Sequence, residues 1–218
     1  MPIIAPSILT ADFLRLGEEI NMLNHSTADW IHLDIMDGLY VPNITFGFPV
    51  IQKISQAVKK PLDVHLMITD PDRYLEAFRD AGANILSVHE EACNHLDRTI
   101  SRIRELGMQP AVALNPHTPV TVVENILARL YMVLIMTVNP GFGAQKFIDY
   151  SYDKIKKLKN MIREQDAETL IQVDGGVGID NIRRLSDAGA DVFVVGNTIF
   201  SSKNPSAMIR DLKEMKNL

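Results

Sequence analysis

Trp30-Ile31-His32-Leu33-Asp34-Ile35-Met36 alternates apolar and chemically active side chains with period two, and in a strand that period sorts them onto two faces. Ile31, Leu33 and Ile35 share one face; His32, Asp34 and Met36 share the other. The aliphatic face must pack on helices, so the face with the imidazole and the carboxylate lines the mouth of a closed barrel. Leu62-Asp63-Val64-His65-Leu66-Met67 repeats the arrangement, with Asp63, His65 and Met67 on one side. In Leu170-Ile171-Gln172-Val173-Asp174, Gln172 and Asp174 oppose Ile171 and Val173, and Gly175-Gly176 follow directly.

Working outward, β-rich runs occur at 3–9, 30–36, 62–67, 85–89, 110–114, 132–138, 170–174 and 192–196. Amphipathic helical patterns separate them at 12–23, 50–58, 71–81, 96–106, 120–128, 152–165 and 179–188, and a last one at 205–215 closes the chain. Eight units of about 27 residues predict an α/β fold, a single (β/α)₈ TIM barrel forming one catalytic domain over 1–218. An open doubly wound sheet is the alternative; eight regular units without a low-complexity linker favour closure. Asp80-Ala81-Gly82-Ala83 recurs as Asp187-Ala188-Gly189-Ala190, and each Gly is placed to end a helix in the left-handed conformation.

Net charge is −5, from 22 Lys plus Arg against 27 Asp plus Glu, which argues against a broad nucleic-acid footprint. The composition, 46 % hydrophobic and 22 % charged, is that of a soluble globular protein. A single cysteine, Cys93, excludes an intrachain disulfide framework and suits a reducing compartment. Met1-Pro2-Ile3-Ile4-Ala5-Pro6 does not read as a signal peptide, and no apolar run is long enough to span a bilayer, so a cytoplasmic location is expected.

A buried carboxylate is costly unless it is paired or bound to metal. His32, Asp34, His65 and Asp174 are therefore either a hydrogen-bonded structural network or the two-nitrogen, two-carboxylate ligand set of Zn²⁺, Fe²⁺, Mn²⁺ or Co²⁺. Glycines cluster after the last three strand candidates, at Gly141 and Gly143, Gly175 and Gly176, and Gly196 beside Asn197. Such loops hold phosphate through backbone N–H groups in barrels of this kind. Asp37-Gly38 starts a longer loop through Ile44 that can close over a substrate. Ser87 and His89 either line the mouth or sit satisfied in the core. His25 and His117 read as surface residues, Lys156, Lys157 and Lys159 as a solvated helix face, and Cys93 as inert. Met36, Met67 and Met136 taken alone read as core filler.

Ala5-Pro6-Ser7-Ile8-Leu9, His32-Leu33-Asp34-Ile35-Met36-Asp37-Gly38, Asp63-Val64-His65-Leu66-Met67, Met136-Thr137-Val138-Asn139-Pro140-Gly141-Phe142-Gly143 and Asp174-Gly175-Gly176-Val177 together resemble the ribulose-phosphate 3-epimerase family. The match covers essentially the whole chain, in order. The resemblance implies a TIM barrel that interconverts D-ribulose 5-phosphate and D-xylulose 5-phosphate in the pentose phosphate pathway. It also implies one divalent metal per subunit, held by His32, Asp34, His65 and Asp174, with Asp34 as proton acceptor and Asp174 as proton donor. Ser7, His65, Gly141, Phe142, Gly143, Ala144, Gly175, Gly176, Gly196 and Asn197 would contact substrate, and Met36, Met67 and Met136 would surround the intermediate. The expected partners are a ketose phosphate and further copies of the chain, with neither nucleic acid nor membrane.

The chain departs from the family pattern at two places. Ala144 stands where relatives have Gly, at a cost on the order of 1 kcal/mol if the position requires a positive φ. Tyr131 stands where relatives often carry an acidic residue, and reads as a surface or oligomer contact. The chemistry has its own logic: inverting a carbon removes a proton on one face and delivers one on the other, which two opposed carboxylates do economically. Three rivals share parts of the pattern. They are an allulose-6-phosphate 3-epimerase, a metal-dependent aldolase needing one base, and an inactive sugar-phosphate binder with no use for two.

Overall fold

The structure is a computed structural model that describes residues 2–215; Met1 and residues 216–218 of the expected domain lie outside them. The strands are β1 Ile3–Pro6, β2 Ile31–Met36, β3 Leu62–Met67, β4 Ile85–His89, β5 Gln109–Leu114, β6 Met132–Met136, β7 Leu170–Asp174 and β8 Val192–Val195. They form one eight-stranded sheet in the order β1-β8-β7-β6-β5-β4-β3-β2. All neighbours in that order are parallel. The two ends meet: Ser7 bridges His32 in parallel, and the Asp29 N–H donates to the Ile4 carbonyl at 2.9 Å. That closure selects the barrel over the open sheet.

The outer ring consists of α1 Leu16–His25, α2 Phe48–Ala57, α3 Leu75–Ala81, α4 Leu96–Glu105, α5 Ser151–Glu164, α6 Ile179–Ala188, α7 Asn197–Phe200 and α8 Pro205–Lys213. Ile31, Leu33, Ile35, Val64 and Leu66 join helix residues such as Ile51, Ile54 and Phe78 in the main apolar core between sheet and helices. A second cluster, including Ala5, Trp30, Ile85, Ala111, Met132 and Val192, lies apart from it. Tyr131 packs on Trp30, ring centroids 6.2 Å apart, at the edge of this cluster.

Several expected boundaries move, each for a local reason. The run 3–9 is a strand only to Pro6, because Ser7 caps a 3₁₀ turn over Ile8–Thr10. The run 12–23 starts later as α-helix: the Asp12 carboxylate accepts from the Leu14 N–H at 3.0 Å and begins a 3₁₀ turn, Phe13–Arg15. The pattern 120–128 forms a 3₁₀ helix, Val120–Arg129. Four successive β-branched residues, Val120 to Val123, lose side-chain freedom in an α-helix. At 132–138 the strand stops at Met136, and at 192–196 Gly196 leaves the strand to cap α7. Gly82 and Gly189 end their helices at φ 101° and 116°, as the repeat predicts. Lys159 departs from the expected solvated face, pairing with Asp191 at 3.2 Å, whereas Lys156 and Lys157 are exposed.

Candidate active site

Parallel register carries the inward side chains of neighbouring strands to the same height. Asp34 stands opposite His65 across β2 and β3, and Met136 opposite Asp174 across β6 and β7. His32 Nε2 lies 3.3 Å from Asp34 Oδ1. His65 Nδ1 lies 3.2 Å from the same oxygen and 3.7 Å from Asp174 Oδ2. One ligand-type atom from each of the four residues lies within 4.8 Å of all the others. The outer atoms of the set are occupied. His32 Nδ1 donates to Asp63 Oδ2 at 2.7 Å, Gln172 Nε2 donates to that oxygen at 2.5 Å, and Ser7 Oγ donates to Asp34 Oδ2 at 2.5 Å. His32 Nε2, buried, has no hydrogen-bond partner. An imidazole held from behind by a carboxylate, its other nitrogen aimed among carboxylate oxygens, is the arrangement that binds a divalent cation.

Electrostatics separates the two acids. Burial pushes the Asp34 carboxyl up, but His32 and His65 beside it outweigh this and hold it well below the usual carboxylate range. Burial raises Asp174 to about 6, reinforced by the negative charge of Asp34. Burial opposes a charge on His32, yet Asp63 and Asp34 hold its pKa well above that of a free imidazole. The carboxylates that draw a proton to this ring draw a cation equally.

Above the cluster opens a cavity of about 310 Å³. Ser7, Asp34, Met36, Met67, Met136, Gly141, Phe142, Gly143, Ala144, Asp174, Gly175, Gly176, Gly196 and Asn197 all line it. His32 and His65 are fully buried and do not line the cavity themselves. No Lys or Arg lines the cavity among the described residues. Thr10, Asp180, Asn181 and Thr198 also line it; no motif singled them out.

Side chains behind the glycine loops set their shape. Gln145 Nε2 donates to the carbonyls of Asn139 (2.6 Å) and Phe142 (2.9 Å) and staples that loop from within. Asn181 accepts from the Gly178 N–H at 2.9 Å and donates to the Gly176 carbonyl at 2.9 Å. Gly176 has φ 64°, and a Cβ there would lie 2.8 Å from the Phe147 backbone nitrogen. The loop after β2 crosses the mouth, where Asn43 Nδ2 donates to the Gly141 carbonyl at 2.8 Å.

Ala144 has φ 57°, the left-handed region that disfavours a side chain. Replacing it by Gly relieves strain of about 1–2 kcal/mol and returns part of that as unfolded-chain entropy. The Ala144→Gly protein is expected to gain about 0.5–1 kcal/mol of stability, read from its urea midpoint at unchanged slope.

His89 is fully buried between His65 and Glu91 with both ring nitrogens engaged, so the mouth-or-core alternative resolves to a satisfied core residue, one that backs the cluster. Burial lowers its pKa to about 4. Glu91, pushed up by burial, is brought down to about 2 by donors from His89, Thr118 and the backbone. Lys154, buried from α5, was hidden in a helix pattern full of lysines; burial lowers it to about 8. Burial pushes the Cys93 thiol up to about 12, in keeping with an inert residue. His25 and His117 are exposed. Among the described residues, no helix is long and apolar enough to cross a membrane.

A model of the "Ribulose-phosphate 3 epimerase family" matches residues 3–200. Ribulose-phosphate 3-epimerase of Bacillus subtilis (strain 168) is 49 % identical over 214 residues, covering 98 % of this chain and 99 % of that protein. The Synechocystis protein of the same name is 46 % identical, covering 98 % and 94 %. The chloroplastic ribulose-5-phosphate-3-epimerase of Arabidopsis thaliana is 43 % identical, covering 98 % and 77 %. Among solved structures, KGPDC from Streptococcus mutans superposes with TM-score 0.74 at 14 % identity, covering 99 % of this chain and 97 % of that one. A 3-hexulose-6-phosphate synthase gives 0.68 at 19 %, covering 99 % of both, and at such identities the likeness is one of fold.

Proposed function

We infer the reaction from the premise that the chain belongs to the ribulose-phosphate 3-epimerase family: it is an isomerase that epimerises D-ribulose 5-phosphate and D-xylulose 5-phosphate at C3. The observation that carries the residue assignment is the convergence of Asp34 and Asp174 at the floor of one cavity, with their proton affinities driven apart. Asp34, ionised, takes the C3 proton on one face. Asp174, the acid of higher proton affinity because burial raises its carboxyl to about 6, delivers one to the other face, and the reverse reaction exchanges the roles. Ser7 fixes the oxygen of Asp34 that points away from the histidines.

His32, Asp34, His65 and Asp174 are the residues that would hold one divalent cation. Bound there, it supplies Lewis-acid stabilisation of the negative charge that develops on the substrate oxygens near C3. The ligand set accepts Zn²⁺, Fe²⁺, Mn²⁺ and Co²⁺, and metal supply selects among them.

The substrate phosphate lies against the loops of Gly141 to Ala144, Gly175 to Val177, and Gly196 with Asn197. Since no basic side chain lines the cavity, its charge is met by backbone N–H groups and helix ends. This remote anchor orients C3 between the two acids. Met36, Met67 and Met136 wall the reacting carbons with apolar, deformable side chains and exclude water.

A Cβ at Gly196 would lie 2.8 Å from Thr10 Oγ1, so a larger residue there pushes against Thr10, which lines the same cavity. Gly196→Val is expected to raise KM at least tenfold with a smaller change in kcat. Equal turnover of phosphorylated and unphosphorylated ketoses would show the anchor to be misassigned. Purified protein should turn over ribulose 5-phosphate faster than allulose 6-phosphate; the opposite order reassigns the substrate to a hexulose phosphate.

A further inference from the structure

His65 presents Nδ1 to Asp34 and Asp174 and turns Nε2 away, to 2.9 Å from His89 Nε2. A contact between two ring nitrogens requires one to carry the hydrogen and the other to be bare. Its direction is set one residue further out. His89 Nδ1 lies 3.1 Å from Glu91 Oε2. An ionised carboxylate only accepts, so His89 Nδ1 carries the hydrogen and the neutral ring leaves Nε2 bare. His65 therefore donates from Nε2, which leaves Nδ1, 3.2 Å from Asp34 Oδ1, as the nitrogen that is bare when a cation occupies the cluster.

We propose that His89 and Glu91 are positioning residues that lock His65 in the tautomer whose Nδ1 is a metal ligand atom. This rests on the metal reading of the cluster given above. The end of the chain is well anchored. Glu91 Oε1 accepts from the Asn115 N–H at 2.9 Å and from Thr118 Oγ1, while Oε2 also receives Tyr40 OH at 3.4 Å. The Lys154 ammonium donates to the Asn115 carbonyl at 2.6 Å and brings a positive charge to the same loop. Tyr40 covers the His89 ring, centroids 4.7 Å apart, and leaves it little room to turn. The other ligand imidazole is held more simply, by Asp63 directly on His32 Nδ1. The two histidines present opposite nitrogens to the cluster, Nε2 of His32 and Nδ1 of His65, and each has its remaining nitrogen engaged.

Glu91→Gln reverses the wiring with little change of shape. The Gln oxygen takes the place that serves both Asn115 N–H and Thr118 Oγ1, so its NH₂ faces His89 and donates. His89 Nδ1 must then accept, His89 Nε2 donates, and the His65 proton is driven to Nδ1, where it competes with the cation. The test loads the protein with zinc alone, measures its affinity by chelator competition, and reads ring-nitrogen protonation by NMR. Expected are hydrogens on His65 Nε2 and His89 Nδ1 in the zinc-loaded wild type, and a zinc affinity about 10–100-fold weaker in Glu91→Gln. A lower melting temperature with unchanged zinc affinity would make Glu91 a packing residue and overturn the proposal. So would a proton on His65 Nδ1 in the zinc-loaded wild type, a measurement that stands even if the variant does not fold. A wild type that takes up no stoichiometric zinc, iron, manganese or cobalt would instead remove the metal reading, and this inference with it.

Discussion

Asp34→Asn and Asp174→Asn are each expected to lower the interconversion of ribulose and xylulose 5-phosphates by more than the roughly 10²–10⁴ typical of one acid–base group. Each substitution keeps the shape but removes a base, and each also weakens the cluster, where one oxygen of each carboxylate lies within 4.8 Å of the other ligand atoms. The double variant should be scarcely worse than either single one, because the pair acts as a unit. Additive losses would mean independent roles. In D₂O the product should gain deuterium at C3 with little return of the substrate's own hydrogen. Efficient internal transfer of that hydrogen would mean that one base serves both faces, leaving the epimerase reaction intact but the two-acid assignment wrong.

Removal of the metal should have a comparable effect. Protein purified without chelator is expected to hold one divalent metal per chain by elemental analysis. Dialysis against a chelator should lower turnover by about three orders of magnitude or more, since Lewis-acid stabilisation contributes several kcal/mol and each 1.36 kcal/mol is tenfold. Adding back Mn²⁺, Fe²⁺, Co²⁺ or Zn²⁺ should restore it in the wild type but not in His32→Ala or His65→Ala, in which a buried ligand nitrogen is gone. Full activity in a preparation without stoichiometric metal would refute this assignment.

What could be read in the sequence follows from local periodicity. The two-residue alternation of 30–36, 62–67 and 170–174 already places His32, Asp34, His65 and Asp174 on inward faces, because successive strand side chains point to opposite sides whatever surrounds them. The glycine runs likewise marked the loops that line the cavity, while the φ of Ala144, left conditional by the family's glycine at that position, is positive in the structure. Where local signals competed, boundaries slipped: Ser7 and Asp12 turned the chain by capping, and the β-branched run from Val120 tightened a helix to 3₁₀.

The support behind those residues had no such signal. Nothing within 85–95 tells that His89 meets His65 or that Glu91 meets residues 115 and 118; these contacts arise from the register of β3 on β4 and the meeting of two distant loops. Lys154 reads as one more helix lysine until α5 buries it against the Asn115 carbonyl. The sequence by itself determined which side chains face inward and which loops open at the mouth, since both depend on neighbours a few residues away. Which nitrogen of each histidine is free, which acid has the higher proton affinity, and which loops brace one another were decided only by the tertiary structure. Hydrogen-bond direction and proton affinity depend also on groups far apart in the chain, such as His65 and His89, 24 residues apart, which the pairing of β3 with β4 brings within about 3 Å.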